Sequence, residues 1–367
     1  MEEQVKLHLT MSSLPKDITH PHLHGYLTAG YALFIAYVSL SPFFGWHEQG
    51  LSFIAVLTAP LVQTFTWFDF TLNFVSYMPF GFLLAYLLRG RYSSVLVLCL
   101  STMSGLLMAA SMEYAQMYLP TRVSSNTDLL SNITGIFVGA AFALSIAGHT
   151  WFFKLKSWHN QWLKHGRMSD FGLAMLAVWL FAQTNPSLHM LGSVFVSAVA
   201  RWPFDIVPEV PFNWLEFAQV ALNIQLLGIL LSTLLRERRH TVNALLLVLS
   251  VLTLIKFIAA AVLLKSWALL LWMNSEAILG IITGVFLLLA ILRLPCRWQL
   301  IFGAASAIFY LVLLQDLMPL NKPSVTMRLY HWQYIHMLNF NGFSQLIILL
   351  FPILFLAYLW RVGILRK

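Results

Sequence analysis

SMEYAQMYLPTRVSSNTDLLSNITGIFVG, residues 111–139, decides the fold because it breaks an otherwise lipid-compatible sequence. Within it, Glu113, Gln116, Arg122, Asp128 and Asn132 lie between apolar runs long enough to be helices. Carboxylates and amides inside apolar helices are costly and face a cavity or a partner rather than hydrocarbon. The stretch therefore reads as a helix descending through Glu113, a polar turn around Arg122, and a second helix leaving through Asp128 and Asn132. It is a membrane hairpin with its polar groups at one end.

Composition agrees. Of 367 residues, 59% are hydrophobic and 10% charged, where a soluble domain carries roughly a quarter charged residues. The chain reads as an all-α, polytopic transmembrane bundle. Spanning helices need roughly twenty apolar residues, and ten candidate spans begin near Tyr26, Phe70, Tyr92, Leu129, Phe171, Trp214, Val242, Trp267, Leu300 and Ser344. Segments 51–65 and 188–200 are apolar but short; the first, broken by Pro60, reads as interfacial. The N-terminal lead is polar and too long for a cleavable signal peptide, given the full-length span after it.

Basic residues cluster on cytoplasmic loops. With both termini cytoplasmic, the inner segments collect the pairs and runs at 89–91, 154–167, 236–239, 293–297 and 361–367, leaving Arg122, Arg201, Lys265, Lys322 and Arg328 outside. The net charge of +8 is thus explained without a nucleic-acid partner, and no nucleic-acid module is present. On this topology Asp69, Asn73 and residues 113–132 meet at the extracytoplasmic face. The expected organisation is an N-terminal tail (1–25), a four-span unit (26–148), a basic linker carrying Trp151, Trp158 and Trp162 (149–168), and a six-span unit (169–367). The expected location is a bacterial cytoplasmic membrane.

The pattern carries chemistry in several places. Glu113 and Gln116 are three apart, and Asp128 and Asn132 four apart, so each pair shares a helix face. Glu113 lies about five residues from the end of its span, roughly 7 Å deep, with Arg122 as the nearest counter-ion. Asp128 also suits a helix first turn. Gly135, Gly139 and Ala140 form a small-residue face for close helix approach. Asn73, Ser76 and the run Tyr77-Met78-Pro79-Phe80-Gly81 read as a proline-loosened helix. Two cysteines, Cys99 and Cys296, support neither a disulfide frame nor a thiolate metal site. His20, His22 and His24 read as solvated juxtamembrane residues, and neither metal nor cofactor is expected. Secondary candidates are Glu216 and Gln219, Lys256 within the seventh span, Glu276 part-way into the eighth as its ion partner, and His336 ahead of the tenth.

Taken together, Asn73, Pro79 and Gly81, followed by Glu113, Gln116, Arg122, Asp128, Asn132 and Gly135, resemble the VanZ-like family of bacterial membrane proteins. The resemblance covers about residues 30–147 and leaves the six C-terminal spans outside. It implies a membrane protein whose founding relatives are associated with reduced susceptibility to the lipoglycopeptide teicoplanin, and it implies no agreed reaction.

Four functional classes remain open at this point. The polar set, Asp69, Asn73, Glu113, Gln116, Arg122, Asp128 and Asn132, binds a lipid-linked or anionic cell-envelope precursor, with Arg122 holding anionic oxygen and the carboxylates positioning Arg122. Alternatively, Glu113 and Asp128 form the acid/base pair of an enzyme acting on a lipid-linked substrate, although no nucleophile elbow or His pair accompanies them. A flippase or transporter would use Lys256 and Glu276. A structural clasp would use the same polar groups only to hold helices together. Membrane lipids are the expected partners in every case.

Overall fold

The computed structural model describes residues 21–50, 52–60, 67–146, 154, 157–158, 161–196, 211–317, 323–331 and 335–364. Among these are eleven α-helices and no strands: α1 (Pro21–Leu40), α2 (Phe53–Thr58), α3 (Trp67–Leu88), α4 (Ser94–Gln116), α5 (Asn126–Ile146), α6 (Arg167–Gln183), α7 (Trp214–Leu234), α8 (Thr241–Leu263), α9 (Ser275–Leu292), α10 (Cys296–Leu317) and α11 (Ile335–Ile364). Nine of them are long and apolar enough to cross a membrane. The chain is a multi-pass helical membrane protein.

The expected ten spans become nine plus α6. That helix has 17 residues and stops at Gln183 because Thr184-Asn185-Pro186 follows, and the residue before a proline is driven out of the helical region. The chain then continues as irregular backbone, residues 185–192 wholly buried. Irregular backbone at membrane depth is tolerated only when protein satisfies it, and polar side chains do so here. Asn185 donates to Asn341 Oδ1 (3.0 Å) and Ser344 Oγ (3.1 Å), Asn223 to the Leu191 carbonyl, and Gln183 to that of Gly192 (3.3 Å).

Boundaries shift for local reasons. The ninth helix begins at Ser275 rather than near Trp267, because Asn274 caps it, accepting from Ala277 N at 2.9 Å. Glu276 consequently sits in the first turn, not part-way into the span. The last helix begins at Ile335, earlier than its apolar run. The short segment at 53–58 is a six-residue helix with Ile54 and Leu57 exposed.

Two packing centres result. In the first four spans, α3 and α5 make the most extensive contact. A Cβ at Gly135 would run into the Phe74 carbonyl, and one at Gly139 into that of Met78. Only glycine lets the two backbones touch, as the small-residue spacing predicts. In the later helices, α7 is the hub. It is buried from Gln219 to Leu234, packed by α9, α10 and α8. The two centres meet where α1 lies against α6 and α11, with Phe34 edge-on to Phe181 and Phe343.

Candidate functional site

The hairpin forms with α4 descending to Gln116 and α5 rising from Asn126. Around its polar turn is a cavity of about 750 Å³, within the range of small-molecule sites. Its lining includes all seven of the residues Asp69, Asn73, Glu113, Gln116, Arg122, Asp128 and Asn132. The helix ends of α1, α3, α4 and α5 converge on it. Ser52, Ala55, Val56 and Ala59 on and beside α2 close one side, and Leu263, Met337 and Phe340 from α8 and α11 contribute to the wall.

Within this set the side chains divide by what they touch. Gln116 and Arg122 serve the end of α1. Val38 O has no helical donor because the residue four positions on is Pro42, which lacks an N–H. Arg122 Nη2 donates to it at 2.8 Å and reaches Ser41 O at 3.4 Å. Gln116 Nε2 donates to Ser39 O at 3.0 Å. A cation at a helix C-terminus also favours the dipole. Burial lowers the Arg122 pKa from its ordinary value, and the nearby Glu113 carboxylate opposes that shift. Arg122 makes no salt bridge with Glu113 or Asp128, so the expected carboxylate-positioned guanidinium is corrected: main-chain carbonyls position it. The reason is that Pro42 leaves the Val38 oxygen without its helical donor, a feature remote in sequence from Arg122.

Glu113, Asp128 and Asn132 keep open valences. Glu113, 4% exposed, accepts from Ser124 Oγ (2.9 Å) and Ser125 N (3.0 Å), both on Oε2. Asp128 accepts from Asn73 Nδ2 on Oδ1 at 2.8 Å, which links α3 to α5. Asn132 is 3% exposed and its Oδ1 is buried without a partner. Arg122 Nε is likewise unpartnered. Tyr31 OH donates to Ser76 O at 2.8 Å, steadying the turn of α3 ahead of Pro79.

The comparisons with known proteins fall on this part of the chain. Residues 24–147 match the family described as VanZ/LLP1. This segment is VanZ-like. The VanZ-like segment covers α1 to α5 and carries every one of the seven lining residues above. No curated protein and no solved structure matches the chain.

The secondary candidates lie elsewhere. Glu216 and Gln219 are buried on α7, away from the VanZ-like cavity. Glu216 Oε1 meets His189 Nδ1 at 2.6 Å and Asn274 Nδ2 at 2.8 Å, while Gln219 Oε1 accepts from Ser193 Oγ at 2.7 Å. They hold the irregular stretch after α6 in place. Lys256 is fully buried, and its Nζ donates to Gln183 O at 3.0 Å, not to Glu276. Glu276 instead accepts from Asn213 N at 3.1 Å, just ahead of α7. The expected Lys256–Glu276 ion pair is therefore replaced by two helix-end contacts, because Glu276 lies at its helix start. His336 heads α11, and its side chain lies outside the described residues, as do His20, Arg201, Trp332 and much of the linker. Among the described residues no cluster of His, Cys, Asp and Glu suits a metal ion.

Sequence reasoning missed Val38, Ser39 and Ser41 as acceptors, and Leu263, Met337 and Phe340 as wall. Pro42 was the available signal for the first group. Nothing local marks the second, since apolar residues at span ends are ordinary.

Proposed function

We propose that the VanZ-like cavity binds an amphiphilic, membrane-resident ligand of the lipid-linked cell-envelope precursor class, in a bacterial cytoplasmic membrane. The supporting observation is the composition of its lining. Asp69, Asn73, Glu113, Asp128 and Asn132 line it together with the apolar Phe34, Ile35, Leu263, Met337 and Phe340. Pockets that pair a few convergent polar groups with apolar walls suit ligands with a head and a tail. Arg122 Nε and the Asn132 amide supply donors, and Glu113 and Asp128 supply acceptors.

The test is binding of lipid extract components to the purified full-length protein, read by native mass spectrometry. Co-purified lipid that is lost in Asn132→Leu supports the reading; identical lipid content in both proteins overturns it. A link to teicoplanin susceptibility is part of the same proposal and is scored separately, by the susceptibility of a deletion strain complemented with wild type or Glu113→Gln.

A second reading is favoured by one observation: among the described residues, Glu113 Oε1 and Asp128 Oδ2 have no hydrogen-bond partner, and both residues line a single cavity. Two carboxyls with free oxygens are what acid/base transfer at a lipid-linked substrate requires. Product formation from the bound lipid separates that reading from simple binding.

A further inference from the structure

The acidic and basic residues among the described lining are Asp69, Glu113, Asp128 and Arg122, with the Tyr77 phenol beside them. Three carboxyls thus share the cavity with one guanidinium, and that guanidinium has its Nη2 occupied by Val38 O and Ser41 O. Glu113 and Asp128 are less committed. Both hydrogen bonds to Glu113 end on Oε2, and the one to Asp128 ends on Oδ1. Among the described residues Glu113 Oε1 and Asp128 Oδ2 have no hydrogen-bond partner, and both residues line the same cavity. One turn further along α5, Asn132 is 3% exposed, lines the cavity and has its Oδ1 without a hydrogen-bond partner among the described residues. A buried amide left this way is costly unless a ligand satisfies it.

An anionic head group alone fits this charge balance poorly. Placed here, a phosphate meets three carboxyls, balanced among the described lining by one guanidinium whose Nη2 is already engaged. A head group with a positive centre fits well, since like charges across a desolvated contact are disfavoured and opposite ones favoured. On the ligand-binding reading given above, we infer that the ligand's head group carries a protonated amine, seated between Glu113 and Asp128 with the Asn132 amide as a neutral partner. Any phosphate in the same head group lies on the Arg122 side. The carboxyls therefore select the ligand by charge as well as by hydrogen bonding.

The experiment compares three lipids with the same short acyl chains: phosphatidylethanolamine, its N-acetyl derivative and phosphatidylglycerol. Each is radiolabelled and bound to the purified full-length protein in detergent. The amine lipid is expected to bind about tenfold more tightly than either of the others, a step of about 1.4 kcal/mol. Glu113→Gln and Asp128→Asn are each expected to remove that preference. Equal or tighter binding of the N-acetyl or glycerol lipid to wild type overturns the amine assignment and leaves the ligand-binding reading standing. Absence of binding by all three, or binding unaltered in Asn132→Leu, overturns both. If the carboxyl variants fail to fold, the wild-type ranking alone decides the matter.

Discussion

Arg122 and Asn339 come from distant parts of the chain and donate to one oxygen, the main-chain carbonyl of Val38, at 2.8 and 2.9 Å. That carbonyl is available only because Pro42 withholds the N–H that would otherwise reach it. A proline at the end of α1 thus creates the point at which the VanZ-like hairpin and α11 are joined.

Removing either donor should cost stability. Interhelical hydrogen bonds in membranes average about 0.6 kcal/mol and reach about 1.7, and the charged donor belongs near the upper figure. Arg122→Ala and Asn339→Ala are each expected to lower the thermal midpoint in detergent. The double variant should fall short of the sum, because both act on one acceptor. Strict additivity in such a double-mutant cycle would contradict the shared oxygen.

Glu113→Gln should leave the protein folded and abundant. The amide oxygen of glutamine can still accept from Ser124 and Ser125, the two groups that hold Glu113 now. Glu113→Ala strands both donors and is expected to cost about 1–3 kcal/mol. Membrane abundance near wild type for Gln, lower abundance for Ala, and altered ligand binding in both is the expected pattern. Poor abundance of the Gln variant would count against a functional carboxylate.

Close backbone contact makes α3 and α5 intolerant of bulk. Gly139→Ala and Gly135→Ala should each destabilise the protein by about 1–3 kcal/mol, as overpacking does. Gly363→Ala is the control, because a Cβ there meets nothing nearby. Thermal unfolding of the three proteins in one detergent is sufficient, and equal midpoints would refute the contact.

Lys256 is expected to behave as a structural residue. Among the described residues its partner is Gln183 O at the end of α6, so Lys256→Met leaves a buried carbonyl unpaired, at about 1–3 kcal/mol. The loss should appear in thermal stability, with ligand affinity at the VanZ-like cavity unaltered. Reduced affinity at unaltered stability would restore Lys256 to the functional set.

Much of this was readable beforehand, and what escaped has physical causes. Long apolar runs announce spans, so α3, α4, α5 and α7 appear close to where their composition puts them. The polar residues of the hairpin stand out because hydrocarbon makes them expensive, and all seven line one cavity. Their individual tasks were not legible, because Gln116 and Arg122 look like ligand donors until the oxygens left by Pro42 are seen. Glu276 was displaced for a similar reason. Trp267 and its neighbours are apolar enough to start a helix, but the Asn274 cap sets the start eight residues later. Helix α6 fell short because Asn185-Pro186 overrides the apolar residues that follow.

The wall contributed by Leu263, Met337 and Phe340 has a bearing on how the part of the chain up to α5 can exist by itself. A polypeptide ending after α5 keeps every signature side chain yet loses that flank of the hollow, together with the Asn339 tie to α1. In a bilayer the gap does not stay empty: acyl chains or a neighbouring protein must occupy it. Six additional helices are one way of supplying from within what a shorter chain has to recruit.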